Sequence, residues 1–206
     1  MKRVTICDIP VDSLTMRETI GLIDDAITRR KPIHHVVINA AKVVNAQKDT
    51  ALKESIVSCD IINADGQAIV WASRFLGRPL PERVAGIDIM ANLVKLAAEK
   101  KYRIFFLGAR EEVVKKVAEI YTAEYGNNIV AGYRNGYFTK EEEQNVAKQI
   151  AGSGASILFV AMSSPKKEIF LNTYKEIIQT PFIMGVWGSF DVVYGLVKRA
   201  PMWMQK

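Results

Sequence analysis

The stretch DIINADGQAIVWASRFL, residues 60–76, contains the local pattern on which the rest of the chain is built. Its first residues are apolar and indicate the end of a buried strand, and residues 68–76 have the pattern of a helix. Asp65 and Gly66 lie between them, where the strand meets the helix. Ligands of α/β proteins bind at such strand ends. The stretch therefore predicts a strand, a ligand-binding turn and a helix.

The Asp65 carboxylate has two interpretations. It can accept a proton from a substrate hydroxyl, while Gly66 lets the backbone turn tightly and approach a ligand. It can instead cap the helix that begins near Gln67, because aspartate is a favoured N-cap residue. The local sequence favours neither interpretation.

Strand-like and helical segments alternate on both sides of this unit. Apolar runs at residues 34–38, 102–107, 129–131, 156–161 and 182–186 predict strands, with helical patterns between them. Residues 4–9 and the stretch after Pro10 predict a small hairpin. This spacing is typical of a parallel sheet with right-handed crossovers. We therefore expect an α/β fold: a single Rossmann-like domain over residues 1–206, with a mainly parallel sheet flanked by helices and a small N-terminal hairpin.

Several helix starts carry capping signals. Thr15 and Glu18 have the spacing of a capping box, and Asp49 is a favoured cap for the helix that follows it. Ser164 is a favoured N-cap residue, and Pro165 suits the first position of a helix.

The composition limits the partners of the protein. Lys and Arg number 28 against 22 Asp and Glu, a formal net charge of +6, which favours an anionic partner such as a nucleic acid, an anionic lipid or a nucleotide diphosphate. The basic residues are scattered and no recognition motif is present, so we expect no nucleic-acid binding. No apolar run reaches the roughly 18 residues of a membrane span, and the N-terminus does not resemble a signal peptide. We therefore expect a cytoplasmic protein.

The cysteines and histidines give no sign of a metal site. Cys7 and Cys59 lie in apolar strand-like runs without a CxxC partner, which predicts two reduced, buried thiols. His34 and His35 alternate across one strand, so at most one of them faces inward, and neither has a second ligand nearby. We expect no metal and no cofactor.

Three strand ends should meet at one edge of the sheet, because parallel strands point their carboxyl ends the same way. They lie at Asp65, Gly108 and Ser163. Gly108, Ala109 and Arg110 precede a helix whose free N–H groups can cradle a phosphate. A GxGxxG motif is missing, so this signal is weak by itself.

Two lysines follow the third strand end. Lys166 and Lys167 place positive charge at the positive end of a helix dipole, which is unfavourable unless an anion binds there. The alternative is that both lysines are solvated and that Glu168 compensates their charge.

Several motifs together resemble the WecG/TagA/CpsF family of bacterial glycosyltransferases. They are the Asp65 turn, PERVAGID at residues 81–88, GVWGSFDVVYG at 185–195 and KRAP at 198–201. The resemblance covers nearly the whole chain in the same order. It implies transfer of a sugar from a UDP-sugar to a sugar on undecaprenyl diphosphate, in the synthesis of cell-surface polymers. UDP-N-acetylmannosamine is the expected donor, and a glucose- or glucuronate-type donor is the alternative.

The resemblance also implies roles for individual residues. Asp65 matches the catalytic base of an inverting mechanism, Arg83 matches a basic residue that binds the acceptor or a diphosphate, and Asn39 lies near the donor sugar. Tyr137 and Asp191 match positions near the nucleotide, where they suit stacking on uracil and binding of ribose hydroxyls. No DxD motif is present, so Arg, Lys and backbone N–H groups should neutralise the leaving diphosphate without a metal.

The sequence departs from the family pattern at several positions. Val37 replaces a threonine, Lys167 a common glutamine, Trp187 a glycine and Tyr194 a small residue. The last two add large aromatic side chains beside the expected nucleotide site. The second hypothesis is therefore a nucleotide-binding or scaffold protein on the same fold, with its pocket blocked by Trp187 and Tyr194.

The C-terminal residues carry a further expectation. The family continues beyond the RAP motif into a basic, apolar appendage, whereas this sequence stops at Lys206. The resemblance therefore implies a truncated form with low activity and weak membrane binding. Met202, Trp203 and Met204 lie beside basic residues and suit contact with an anionic membrane, although an ordinary buried tail suits them equally well. We expect a peripheral protein on the inner face of the cell membrane, and a homo-oligomer is left open.

Overall fold

The computed structural model describes residues 2–186 and 188–197. In chain order, the elements are β1 (Arg3–Ile6), β2 (Ile9–Asp12), α1 (Met16–Thr28), β3 (Ile33–Ile38), α2 (Ala40–Ala46), α3 (Thr50–Val57), β4 (Ile61–Ala64), α4 (Gln67–Phe75), α5 (Gly86–Lys100), β5 (Ile104–Gly108), α6 (Glu111–Tyr125), β6 (Val130–Arg134), α7 (Glu143–Gly152), β7 (Ile157–Ala161), α8 (Lys166–Ile178), β8 (Phe182–Gly185) and α9 (Ser189–Tyr194).

Six of these strands form one parallel sheet in the order β4-β3-β8-β7-β5-β6. The two remaining strands, β1 and β2, pair as an antiparallel hairpin. The predicted α/β fold with a parallel sheet and an N-terminal hairpin is therefore confirmed. The extension of a single domain over all 206 residues stays a prediction.

Helices cover both faces of the sheet. Successive side chains of a strand point to opposite faces, so each strand contributes to the apolar cores on both sides. In β5, Ile104 and Phe106 join the core under α1, α5, α6 and α9, whereas Phe105 and Leu107 join the core under α7 and α8. A third apolar cluster packs the hairpin, α2, α3 and α4 against β3 and β4. Strands buried on both faces read as continuous apolar runs, which is why the sequence revealed them.

The hairpin contacts the sheet beside its edge strand β4. The Asp12 carboxylate accepts a hydrogen bond from the backbone N–H of Ile62 at 2.8 Å and pairs with Arg3 at 2.8 Å. Cys7 and Asp8 form the hairpin turn with φ values of 47° and 60°, the left-handed conformation that tight hairpin turns require. Cys7 is exposed, so the prediction of a buried thiol is wrong for this residue. The strand ends one residue before Cys7, and the turn directs it outward.

Two of the predicted helix caps are confirmed. Thr15 and Glu18 form the capping box of α1, and the Asp49 carboxylate accepts a hydrogen bond from Leu52 N–H at the start of α3. The predicted cap at Ser164 is wrong, because α8 begins one residue later and the Ser164 hydroxyl donates to the Glu168 carboxylate at 2.7 Å.

Candidate functional site

A crevice of about 720 Å³ opens at the carboxyl ends of four neighbouring strands. Its walls include Asn39 after β3, Asp65 after β4, Ser163 after β7 and Val186 after β8. The chain leaves β3 for α2 on one face of the sheet and leaves β8 for α9 on the other face. Connections that diverge in this way open a crevice between neighbouring strands, the usual ligand site of such sheets.

Asp65 is held in the crevice by Arg83. The Asp65 Oδ1 atom lies 3.4 Å from Arg83 Nη2, and Arg83 Nε donates to the backbone carbonyl of Asp65. The backbone N–H of Asp65 donates to Ile38 at the end of β3, at 2.8 Å. The N-cap residue of α4 is Gly66, and the helix start has no capping hydrogen bond to a side chain. Asp65 is therefore not a helix cap, and its carboxylate is available to a ligand in the crevice.

The start of α5 lies directly beside this carboxylate. A Cβ atom at Gly86, the first residue of α5, would lie 3.7 Å from Asp65 Oδ2 and 3.2 Å from a methyl group of Val37. Glycine lets the helix approach this closely. The N-cap residue Ala85 has no capping side chain. The carboxylate therefore lies beside an uncapped helix N-terminus, which is the positive end of the helix dipole.

Asn39 lines the crevice as the N-cap residue of α2. Its Oδ1 atom accepts a hydrogen bond from the backbone N–H of Lys42 at 2.9 Å. This bond fixes the orientation of the amide at the crevice wall. Asn39, Asp65 and Arg83, which the sequence placed at a shared site, are therefore brought together by the fold.

The two lysines at the start of α8 point to different places. Lys167 is buried in the crevice wall, with Nζ at 3.1 Å from Glu168 Oε1, and it passes so close to Gly185 that a Cβ atom there would lie 2.9 Å from Nζ. Lys166 donates to the backbone carbonyls of Gly136 and Phe138, both at 3.1 Å. The structure thus brings Lys167 to the crevice and directs Lys166 away from it.

The ends of β5 and β6 lie outside the crevice lining. The N–H of Ala109, next to Gly108, donates to Ala161 at 2.8 Å, so this group is already used within the sheet. Arg110 pairs with Glu112 at 3.2 Å. Tyr137 is 74% exposed on a neighbouring loop. The phosphate cradle at residues 108–110 and the uracil stack at Tyr137 stay predictions.

Two further sequence predictions concern α9 and the residue before it. Ser189 and Val192 of α9 line the crevice, whereas Asp191 lies outside the lining and is half-buried. Tyr194 packs against the apolar core beneath α1, α5 and α6. Trp187 and residues 198–206 lie outside the described residues. The predicted blocking of the pocket by Trp187 and the predicted membrane contact of the C-terminal residues therefore stay predictions.

Lys42 is a crevice residue that the sequence analysis missed. It lies in the first turn of α2, and its Nζ atom donates to the Val37 carbonyl at 3.0 Å. Burial, followed by the charge of Lys167, lowers the pKa of Lys42 to about 8. A basic residue in the first turn of a helix opposes the dipole, so the signal that singled out Lys167 was also present here.

His35 and Asn63 form a buried polar pair beneath the crevice, between β3 and β4. His35 Nε2 lies 2.8 Å from Asn63 Oδ1, and Asn63 in turn contacts Thr19 of α1. His34 is only half-buried, which confirms the prediction that at most one of the two histidines faces inward. Within the described ranges, no three side chains of His, Cys, Asp or Glu cluster as a metal site requires.

The fold and the crevice define an α/β protein with a ligand site at the switch point of a parallel sheet, and the charged side chains that line this site are mainly cationic. The chain belongs to the glycosyl transferase WecG/TagA/CpsF family, because residues 4–206 match that family. The resemblance inferred from the sequence motifs is therefore confirmed.

Two curated relatives are similar to this chain. An N-acetylglucosaminyldiphosphoundecaprenol N-acetyl-beta-D-mannosaminyltransferase from Bacillus subtilis (strain 168) is 38% identical over 167 residues, 81% of this chain and 64% of the relative. A protein with the same name from Bacillus spizizenii (strain ATCC 23059 / NRRL B-14472 / W23) is 35% identical over 156 residues, 76% of this chain and 60% of the relative. The chain thus spans about six-tenths of the length of these relatives. In the part of the chain that the structure describes, no helix is long and apolar enough to cross a membrane.

Proposed function

We propose that this protein is an inverting glycosyltransferase that moves N-acetylmannosamine from its UDP derivative to an N-acetylglucosamine on undecaprenyl diphosphate. The family assignment and the names of the two relatives support this reaction class and this acceptor. The observation that carries the proposal is the Asp65–Arg83 pair, which leaves a carboxylate exposed to a cationic crevice.

Asp65 acts as the general base in this reaction. The acceptor hydroxyl attacks the anomeric carbon of the donor sugar while Asp65 takes the hydroxyl proton. The bond from the anomeric carbon to the UDP oxygen breaks, and its electron pair leaves with UDP. Because attack and departure occur on opposite faces of the sugar, the anomeric configuration inverts. Arg83 and the start of α5 hold the carboxylate in place for this step.

Cationic groups of the crevice stabilise the leaving diphosphate. Lys167 lies in the crevice wall and Arg83 lies beside the base, and preorganised positive groups of this kind stabilise charge that develops in a transition state. We therefore propose that the reaction needs no metal ion.

Val37 lines the crevice where the family resemblance expects a threonine. A methyl group in place of a hydroxyl removes one hydrogen-bonding group from the wall near Asn39. This change is the reason for keeping a glucose- or glucuronate-type donor as the alternative. The second candidate function, a blocked scaffold, requires Trp187 and Tyr194 in the pocket. Tyr194 is half-buried and packs against the core, whereas Trp187 lies outside the described residues.

Contact with an anionic membrane surface is part of the proposal, because the acceptor is a lipid. Helix α4, which starts two residues after Asp65, carries exposed aromatic side chains: Phe75 is 93% exposed and Trp71 is 58% exposed. Arg74 and Arg78 lie beside them, and no acidic residue occurs between positions 66 and 81. Aromatic and basic side chains on one exposed helix suit the interface of an anionic bilayer.

A donor screen tests the proposed reaction. The protein is incubated with an N-acetylglucosamine-diphosphate on a short polyprenyl chain and with the UDP derivatives of N-acetylmannosamine, glucose or glucuronate, and the lipid product is measured by mass spectrometry. We expect one sugar to be added from UDP-N-acetylmannosamine. Addition from another donor only would correct the donor. Absence of transfer from all three, together with absence of UDP binding, would support the scaffold hypothesis.

A further inference from the structure

Lys42 is a charged crevice residue that the mechanism above does not use. An ammonium group has three N–H donors. Within the described residues, Lys42 Nζ makes one hydrogen bond, to the Val37 carbonyl at 3.0 Å. Lys42 lines the crevice, and its two remaining N–H donors have no protein acceptor in that part of the chain.

Lys42 and Lys167 line the same crevice and repel each other. The carboxylates near them already have cationic partners: Glu168 pairs with Lys167 at 3.1 Å, and Asp65 pairs with Arg83 at 3.4 Å. The positive charges of these two ammonium groups are only partly compensated, so their presence in one crevice is unfavourable. An anion that lies between them removes this cost.

The other titratable groups near Lys42 do not supply this anion. Burial raises the pKa of the Cys59 thiol to about 11, so it stays neutral at physiological pH. Burial lowers the pKa of His35 to about 4, so the imidazole is neutral as well. Glu168 and Asp65 offset part of the repulsion between the two lysines, and a bound anion offsets the rest.

We propose that Lys42 and Lys167 form a subsite for a diphosphate group of a substrate. The inference rests on the proposed function, because the UDP-sugar and the lipid-linked acceptor of that reaction each carry a diphosphate. The diphosphate oxygens accept hydrogen bonds from the two remaining N–H groups of Lys42 and place negative charge between the two ammonium groups. Ser163 lines the same crevice and adds a hydroxyl donor.

Proton uptake on binding is the signature of this subsite. A lysine with a pKa near 8 is about half neutral at pH 8, and a bound anion raises that pKa, so binding draws protons from solution. UDP and farnesyl diphosphate are suitable probes, since their terminal phosphates ionise near pH 6 and add little proton exchange at pH 8. Calorimetry in two buffers of different ionisation enthalpy measures the uptake.

The expected uptake at pH 8 is about half a proton for the wild-type protein. Lys42→Met should abolish the uptake and weaken binding by about tenfold, the loss typical of a charged hydrogen bond. Lys42→Arg keeps a charge that does not titrate, so it should keep the affinity within a few-fold and still lose the uptake. Lys48→Met, at an exposed position just after α2, is the matched control and should behave like the wild type.

The two probes identify the source of the diphosphate. Weaker UDP binding assigns the subsite to the donor, and weaker farnesyl diphosphate binding assigns it to the acceptor. Unchanged affinity and unchanged proton uptake for both probes in Lys42→Met and Lys42→Arg would overturn the subsite. Thermal melting of each variant checks that it is folded. If Lys42→Met does not fold, the proton uptake of Lys42→Arg decides whether the subsite exists.

Failure of the subsite and failure of the proposed function give different results. Normal sugar transfer with unchanged probe binding in the Lys42 variants rejects the subsite and leaves the function intact. Loss of probe binding in those variants, in a wild-type protein that transfers no sugar, keeps the subsite and rejects the function.

Discussion

Asp65 combines two properties that a general base needs: exposure to the ligand space and a fixed orientation. Arg83, the Ile38 carbonyl and the start of α5 hold the residue from three sides. None of these contacts covers the carboxylate, which still lines the crevice. The position is therefore suited to accept a proton from a bound hydroxyl.

The Asp65→Asn variant should lose sugar transfer by about 10² to 10⁴-fold, because the amide keeps the shape of the side chain but does not accept the proton. UDP affinity should stay nearly unchanged. Initial rates of transfer and UDP calorimetry measure the two quantities. Asp49→Asn, which preserves the cap of α3 at a residue outside the crevice lining, is the control. Wild-type turnover of the Asp65 variant would remove this residue from the mechanism.

His35 should make the stability of the protein depend on pH. Burial lowers its pKa in the folded state to about 4, and its Nδ1 atom has no partner among the described residues. The unfolded chain therefore binds more protons between pH 6.5 and 4, so the free energy of unfolding falls as the pH falls through this window. The loss at pH 4 is about 3 kcal/mol, at 1.36 kcal/mol per pKa unit.

Urea unfolding from pH 7 to 4 tests this expectation with His35→Gln, which keeps a donor toward Asn63 but does not titrate. The variant should show a shallower decline in the free energy of unfolding than the wild type, and His34→Gln should keep most of the decline. Equal slopes for the wild type and His35→Gln would show that other groups cause the acid sensitivity.

Sequence reasoning located the site residues unevenly. Asp65, Asn39 and Arg83 were found because strand ends and family motifs point to them. Lys42 was missed because its importance depends on its sharing a crevice with Lys167, and only the folded sheet brings the starts of α2 and α8 to the same crevice. Lys166 was grouped with Lys167 because the sequence does not reveal that Lys166 bonds to the carbonyls of residues 136 and 138.

At the scale of elements, α4 is notable for its exposed apolar face. Phe75, Trp71 and Leu76 are all more than half exposed, and Ile69 and Val70 anchor the opposite face in the core. The helix is therefore fixed to the sheet by one side and presents aromatic rings and arginines on the other.

Replacing Trp71 and Phe75 together with Ala should lower binding to liposomes that contain anionic phospholipid by at least about tenfold, since each ring contributes about 1.5 kcal/mol or more when it is buried in lipid. Co-sedimentation with vesicles measures the binding. Replacing Leu22 and Val57, exposed apolar residues on α1 and α3, provides the matched control. A change from dimer to monomer in the α4 variant, without a change in liposome binding, would instead make this face a contact between two copies of the chain.

Most elements were predictable because buried parallel strands and amphipathic helices carry strong local signals. The helix predicted at residues 68–76 is observed at residues 67–75, and the five predicted strands of the sheet have boundaries within three residues of the observed ones. The misses occur where a neighbouring group decides the local structure. Ser164 bonds to Glu168 instead of capping α8, and the hairpin register places Cys7 in a turn.

At the scale of the whole molecule, the crevice collects cations from three separate parts of the chain. Lys42, Arg83 and Lys167 line it together with a single lining carboxylate, that of Asp65, among the described residues. This excess of positive charge is the physical basis for proposing that the protein itself neutralises the leaving diphosphate.

Sugar transfer should therefore continue at an unchanged rate after treatment with EDTA. Transfer assays with and without chelator, and with added Mg²⁺ or Mn²⁺, measure this. Loss of activity in EDTA that is restored by a divalent ion would contradict the proposal and would assign charge neutralisation to the metal.

The pairing of β3 with β8 affects how the protein is made. Residue 33 pairs with residue 182, so two neighbouring interior strands of the sheet are separated by most of the chain. During synthesis, β3 has an open edge until nearly all of the described residues have left the ribosome. Such long-range parallel pairing is slow to form and leaves strand edges exposed to aggregation. The crevice is therefore complete only after β8 has been synthesised, and a nascent chain that pauses before β8 leaves this edge of β3 unpaired.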